Sequence, residues 1–293
     1  MPAIILERET VPILVLILTL CLAGAGRSAG WVEQTGLPVL AALEAHPDSG
    51  LLALAPLRDK LLQLSASGEL WHSTGGSGRG MGSFRAPGDV DASQGLQILV
   101  VDRDNRRLCL LNRTLQTLDV IALPREGDRD CDWPDLLASG GAGVLLVASA
   151  APPCVRLSDD RGSHWKPLFG YGRNGSGLAR IDAMALDGLD LWLLERRATE
   201  GLLVRVGIDG TRGEARSVPG LLLIRAGRDG PVQLIRDEAG LKLQESGASI
   251  RLPRLPEGSL PLDFLHLENQ VWISREGAPA LRCTLPWQDS GTP

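Results

Sequence analysis

The side chains best suited to recognition in this chain are basic groups that recur at comparable places. Arg58 and Lys60 flank Asp59, and Arg103, Arg106 and Arg107 lie in the segment DRDNRR. Arg196 and Arg197 follow Glu195, Arg236 precedes Asp237, and Arg275 precedes Glu276. A guanidinium presents forked N–H donors that match a carboxylate, so such residues gathered on one face would hold an acidic protein surface. The plainer reading is that solvent-facing turns are charged. Groups for bond-breaking chemistry are scarcer. Tyr171 is the one tyrosine of the chain, in the segment FGYGRNGSG, and reads as a loop or packing residue. The four histidines, His46, His72, His164 and His266, fall at unrelated points of the local pattern. His46 and His266 lie near the ends of strands expected to line a channel, yet no Cys/His spacing of zinc type accompanies them. The Gly-rich GGSGRGMG at 75–82 lacks the strand–loop–helix setting of a phosphate cradle. The expectation is therefore no catalytic residue, no cofactor and no metal, in a protein that is not an enzyme.

What must position these residues is a repeat. Each unit reads as a strand, a Gly or Asn turn, a second strand, a charged loop, a third strand, a Gly turn and a fourth strand. Residues 89–95, 96–101, 107–112 and 115–123 show it most clearly, and 180–186, 190–195, 202–208 and 211–218 repeat it. First strands begin near residues 39, 88, 135, 180, 221 and 262. A period of about 40–50 residues is that of a four-stranded blade, so the fold class is all-β, a six-bladed β-propeller. The last unit has strands at 262–267, 271–274 and 281–285 but no fourth, whereas 31–37 (WVEQTGL) is a surplus strand at the start. The N-terminal strand should complete the last blade and close the ring, which removes exposed strand edges. The basic loops listed above then all emerge on one face; the third blade's loop, Ala150-Ala151-Pro152-Pro153, is the uncharged exception.

Two segments carry a family resemblance. Residues 75–112, with a Gly-rich lead, Phe84, Pro87, and Asp102, Asn105 and Arg106 before a strand, resemble an NHL repeat. That resemblance implies a six-bladed propeller; NHL-type amidating lyases use a metal with His ligands. Residues 158–165 (SDDRGSHW) resemble an Asp-box, with Ser158, Asp160, Gly162 and Trp165 at its marker positions. The resemblance implies a structural hairpin motif, found in sialidases, sortilin-like receptors and photosystem assembly factors. It marks a propeller without choosing an activity.

The remaining features concern compartment and partners. Residues 11–26 (VPILVLILTLCLAGAG) are apolar and end in small residues, so 1–30 reads as a signal peptide or an N-terminal anchor. The propeller is placed at 31–288 and a short tail at 289–293. An extracytoplasmic location follows, periplasmic or secreted, with membrane association through 11–26 or through a membrane-complex partner. A net charge of −5 excludes nucleic acid as a bulk electrostatic partner. Of the four cysteines beyond that segment, Cys131 and Cys154 should meet on one face of the ring and form a disulfide, leaving Cys109 and Cys283 as buried thiols. These readings combine into a non-catalytic scaffold that docks a protein partner. The alternative is a lyase, lactonase or glycosidase, or a carbohydrate or small-ligand binder, using the central channel.

Overall fold

The computed structural model describes residues 30–123, 133–170, 178–227, 230–245, 248–267 and 269–285. Among them, strand β1 (Trp31–Glu33) is followed by six successive groups of strands. Blade one comprises β2 (Leu43–Ala45), β3 (Leu51–Ala55), β4 (Lys60–Leu64) and β5 (Leu70–Gly75). Blade two comprises β6 (Pro87–Asp91), β7 (Ile98–Asp102), β8 (Arg107–Leu111) and β9 (Thr117–Ala122). Blade three comprises β10 (Leu136–Ser139), β11 (Leu145–Ser149), β12 (Cys154–Ser158) and β13 (Lys166–Gly170). Blade four comprises β14 (Ala183–Asp187), β15 (Asp190–Arg196), β16 (Glu200–Gly207) and β17 (Arg212–Pro219). Blade five comprises β18 (Leu221–Arg225), β19 (Val232–Asp237), β20 (Gly240–Glu245) and β21 (Ala248–Leu252). Blade six holds β22 (Pro261–Leu267), β23 (Gln270–Arg275) and β24 (Ala278–Thr284).

Every blade is an antiparallel meander, and β1 is the fourth strand of blade six, in the order β1-β24-β23-β22. The seam pairs Trp31 with Cys283, Val32 with Arg282 and Glu33 with Leu281. It is shorter than 31–37: the Leu37 N–H turns back to the Gln34 carbonyl at 3.1 Å, and Pro38 has no donor with which to extend a ladder. Trp31 Nε1 donates to the Pro253 carbonyl at 3.1 Å, and Arg275 pairs with Glu33, so the seam is also held by side chains.

Second strands such as LLALA, ILVVD and LLVAS are buried at every position, because each blade presents one face to the blade before it and the other to the blade after. The core is correspondingly a ring of interblade clusters. Leu52, Leu54 and Phe84 join blades one and two, while Leu99, Val101 and Leu145 join two and three. Leu157 and Leu193 join three and four, and Leu203, Leu221 and Phe264 run from four through five to six. Leu40, Leu51 and Trp272 complete the circuit from six to one. Nothing is left to fill the axis.

Residues 1–29, Cys131, Tyr171 and the tail at 289–293 lie outside the described residues. No described helix is long and apolar enough to cross a membrane.

Candidate active site

The axis opens into a cavity of about 730 Å³ lined by the innermost strand of all six blades, β2, β6, β10, β14, β18 and β22, and extending onto β19, β20 and β21 of blade five. These strands are short and mostly apolar, so the charged residues within them stand out. Glu44 is central in β2, Asp89 and Asp91 lie in β6, Asp263 lies in β22, and Arg225 ends β18. Local irregularities aim several of them. The β6–β7 register shifts between Pro87 and Val90, around Asp89, and the β22–β23 register shifts between Pro261 and Asp263. A bulge of this kind bends the strand and turns a side chain away from the regular alternation. At the start of β18, Gly220 has φ +69°, and a Cβ there would sit 1.8 Å from the Arg236 carbonyl oxygen. Only glycine suits that approach, and it sets the strand that ends in Arg225.

Arg225 is the hub. One terminal nitrogen donates to the Leu43 carbonyl at 2.5 Å, to the Phe264 carbonyl at 3.1 Å and to both Asp263 oxygens at 3.1 and 3.2 Å. The other pairs with Glu44. A guanidinium from blade five thus ties blade six to blade one. The carboxylates also brace the ring through backbone donors. Asp263 accepts from the Leu43 N–H at 2.7 Å and Asp89 from the Leu137 N–H at 2.8 Å. Asp91 accepts from the Ser139 N–H at 2.6 Å. Each of these three bonds runs from one blade to the next. Glu44 differs, for among the described residues its backbone donor is the adjacent Ala45 N–H at 2.9 Å.

Burial in the cavity wall disfavours the charged form of these acids. It pushes the Glu44 carboxyl up to about 7, against the pull of Arg225 and with a further push from Asp91 and Asp263. Burial likewise holds Asp89 well above the ordinary carboxylate range, with Asp263 adding to the effect, and raises Asp263 in spite of Arg225. Arg225 itself is held above its usual value: burial opposes its charge, but Glu44, Asp263 and Asp89 outweigh it. A carboxyl poised near neutrality beside a fixed cation is suited to moving protons. No group of three or more His, Cys, Asp or Glu side chains is placed to hold a metal ion among the described residues.

None of the nine basic residues expected to form a face lines this cavity. Arg58 is exposed after β3, and Lys60 is half-buried at the start of β4. Arg103 pairs with Asp104 and Asp135, and Arg106 stacks 4.7 Å from the Trp133 ring. Arg197 pairs with Glu195 and Glu200, while Arg236 is exposed and reaches the Ser259 carbonyl at 3.4 Å. The other three are braces within the fold. Arg107 donates to buried Asp102 at 2.7 Å and to the carbonyls of Arg79, Gly80 and Ser83, each at 2.9 Å. Arg196 donates to the Pro261 carbonyl at 2.8 Å. Arg275 is only 5% exposed because its guanidinium serves Glu33, Ser259 and the Pro279 carbonyl.

The 158–165 segment forms the β12–β13 turn. Ser158 Oγ donates to Asp160 and accepts from the Gly162 N–H, both at 2.8 Å, and Asp160 accepts from the His164 N–H at 2.8 Å. These donors, the His164 N–H foremost, hold Asp160 well below its ordinary range. Trp165 packs on the cluster between blades two and three. His46 is buried beside the Arg113 carbonyl, 2.9 Å from Nε2, and does not line the cavity; His266 does. Cys154 is disulfide-bonded, and Cys109 and Cys283 are buried free thiols. The other member of the expected disulfide, Cys131, lies outside the described residues.

Glu44, Asp89, Asp91, Arg225 and Asp263 are absent from the sequence-based candidates. The available signal was a charge inside a first-strand apolar run, as in Leu223-Ile224-Arg225 and Leu262-Asp263-Phe264.

No family model and no curated protein matches the chain. Solved structures do. The chain is similar to virginiamycin B lyase from Staphylococcus aureus (TM-score 0.60, 10% identity, 88% of this chain and 99% of that one). It is similar to a gluconolactonase from Xanthomonas campestris (TM-score 0.60, 13% identity, 88% and 90%) and to the WD40 repeats of RRP9 (TM-score 0.56, 12% identity, 88% and 99%). At such identities the likeness establishes the propeller fold alone. Enzymes nevertheless preponderate among these neighbours, which overturns the expectation that the chain is not an enzyme.

Proposed function

We propose that the chain is a propeller enzyme that cleaves an ester or lactone C–O bond in its central channel. The observation that carries this reading is Glu44, a carboxyl poised at about 7 in the wall of the axial cavity and paired with Arg225. The lyases and gluconolactonases among the solved structures similar to the chain support it.

One carboxyl group is enough for the proton traffic. Ionised Glu44 takes a proton from a water as its oxygen attacks the acyl carbon. The carbonyl oxygen becomes an oxyanion, steadied by the Arg225 charge. As the carbonyl re-forms, the acyl–oxygen bond breaks and Glu44 returns its proton to the departing alkoxide. The products are a carboxylic acid and an alcohol, or one hydroxy acid from a lactone. Asp263 is a positioning residue that holds the guanidinium through both its oxygens.

The test is hydrolysis of a panel of aliphatic lactones and esters followed by pH-stat. Because the ionised form starts the reaction, kcat/KM should rise with pH and reach half its plateau near 7. Glu44→Gln should lower kcat by about 100-fold or more while leaving the circular dichroism spectrum unchanged. A fully active Glu44→Gln protein, or no turnover across the panel, would overturn the proposal.

The Asp102–Asn105–Arg107 brace and the Ser158–Asp160–Gly162 turn support reading blades two and three as NHL-like and Asp-box-bearing. The apolar run 11–26 supports an exported protein.

A further inference from the structure

We infer that the ligand of the channel is a small amphipathic molecule with an uncharged polar head and an apolar body, the body resting against blades three to five. This rests on the channel being the substrate site and adds what that substrate is made of.

The cavity wall is uneven from blade to blade. Glu44 of blade one, Asp89 and Asp91 of blade two and Asp263 of blade six form a charged sector, into which Arg225 reaches from the end of β18. Blades three to five contribute mostly apolar side chains, with Asp182 and Glu245 the acids among them: Leu136, Met184 and Leu186 from inner strands β10 and β14, and Val232 and Ile250 from β19 and β21. Each of these five is partly buried: it packs on an interblade cluster and leaves the rest of its surface to the cavity. Apolar surface facing a water-filled channel is stabilised when a ligand covers it, in proportion to the area removed from water. The charged sector sets the head. Among the described residues, six carboxyl groups and one guanidinium line the cavity, and that guanidinium already pairs with Glu44 and Asp263. A standing ligand carboxylate or phosphate would meet these acids, and among the described residues the one lining guanidinium is already shared between two of them. A carbonyl, ether or hydroxyl head can instead accept from Arg225 or exchange hydrogen bonds with Glu44.

The experiment is calorimetric titration of the purified full chain with lactams of increasing alkyl length, which mimic a lactone and are not hydrolysed. Affinity should rise by about two- to fourfold per methylene, up to the value for full burial of a CH₂, until the apolar wall is covered. An alkanoate of matched length should bind roughly tenfold more weakly, or less still. Leu186→Ser and Met184→Ser should each flatten the length dependence, and Glu44→Gln should preserve it. Affinity indifferent to chain length, or stronger for the alkanoate, overturns this inference even if lactones are turned over. A steep length dependence without turnover overturns the catalytic reading and leaves the amphipathic ligand standing. No binding of any lactam overturns both.

Discussion

Glu44 is pulled both ways, by burial toward the neutral acid and by Arg225 toward the carboxylate, and burial prevails. The consequence for folding has a definite sign. Below the ordinary carboxyl range the group is protonated in both folded and unfolded chains, so it contributes nothing to the pH slope. Between about 4.5 and 7 the unfolded chain has lost that proton and the folded chain retains it. The native state then binds more protons than the unfolded one, and stability must fall as pH rises through this window. A shift of that size corresponds to at most about 3 kcal/mol, complete above pH 7. Glu44→Gln removes the titration and leaves Arg225 its contact with Asp263. Urea midpoints from pH 5 to pH 8 should therefore slope less in the variant than in the parent. An unchanged slope would place the titration on another group.

At the scale of the element, the loop that brings the chain from blade one to blade two is organised by one buried acid. Asp102 is fully buried and accepts from the Arg85 N–H at 2.7 Å, from Asn105 Nδ2 at 2.8 Å and from Arg107 Nε at 2.7 Å. Asp102→Ala leaves the largely buried Arg107 without its counter-charge and should cost about 3–5 kcal/mol in denaturant unfolding; a loss under about 1 kcal/mol would show that the loop holds itself. Asp102, Asn105 and Phe84 stood out in the sequence through the resemblance of residues 75–112 to an NHL repeat. The inner strands were legible in position too, beginning at Leu43, Pro87, Leu136, Ala183, Leu221 and Pro261, close to the expected starts. Their charges were passed over for a physical reason. A charged loop is inexpensive and common, so Arg58 or Arg236 says little, whereas a charge inside an apolar strand must be compensated and therefore says much. Which acid faces the axis also depends on bulges at Asp89 and Asp263, and a bulge has no signature in the hydrophobic pattern.

For the whole molecule, ring closure concentrates in a three-residue strand. Trp31 packs on the cluster spanning blades four to six and donates to the Pro253 carbonyl, so Trp31→Ala should lower stability by about 2 kcal/mol. Hydrogen exchange should quicken first in β1 and β24 of that variant; uniform acceleration around the ring would instead mean that the seam is no weaker than any interblade contact. The missing fourth strand of the last repeat and the surplus strand at 31–37 foretold this closure and the central channel it encloses, but not the size of that channel, which depends on how closely six blades pack. The two unlike walls of that channel carry a last consequence. A molecule held by its head at Arg225 and by its tail against Met184 and Leu186 has its long direction fixed, and Glu44 at the reacting carbonyl supplies a third contact. Head, reacting carbonyl and tail thus meet three unlike parts of a chiral wall, so the two enantiomers of a lactone with its alkyl branch at the stereocentre fit differently, and a racemate should be resolved, one enantiomer consumed and its mirror image left behind.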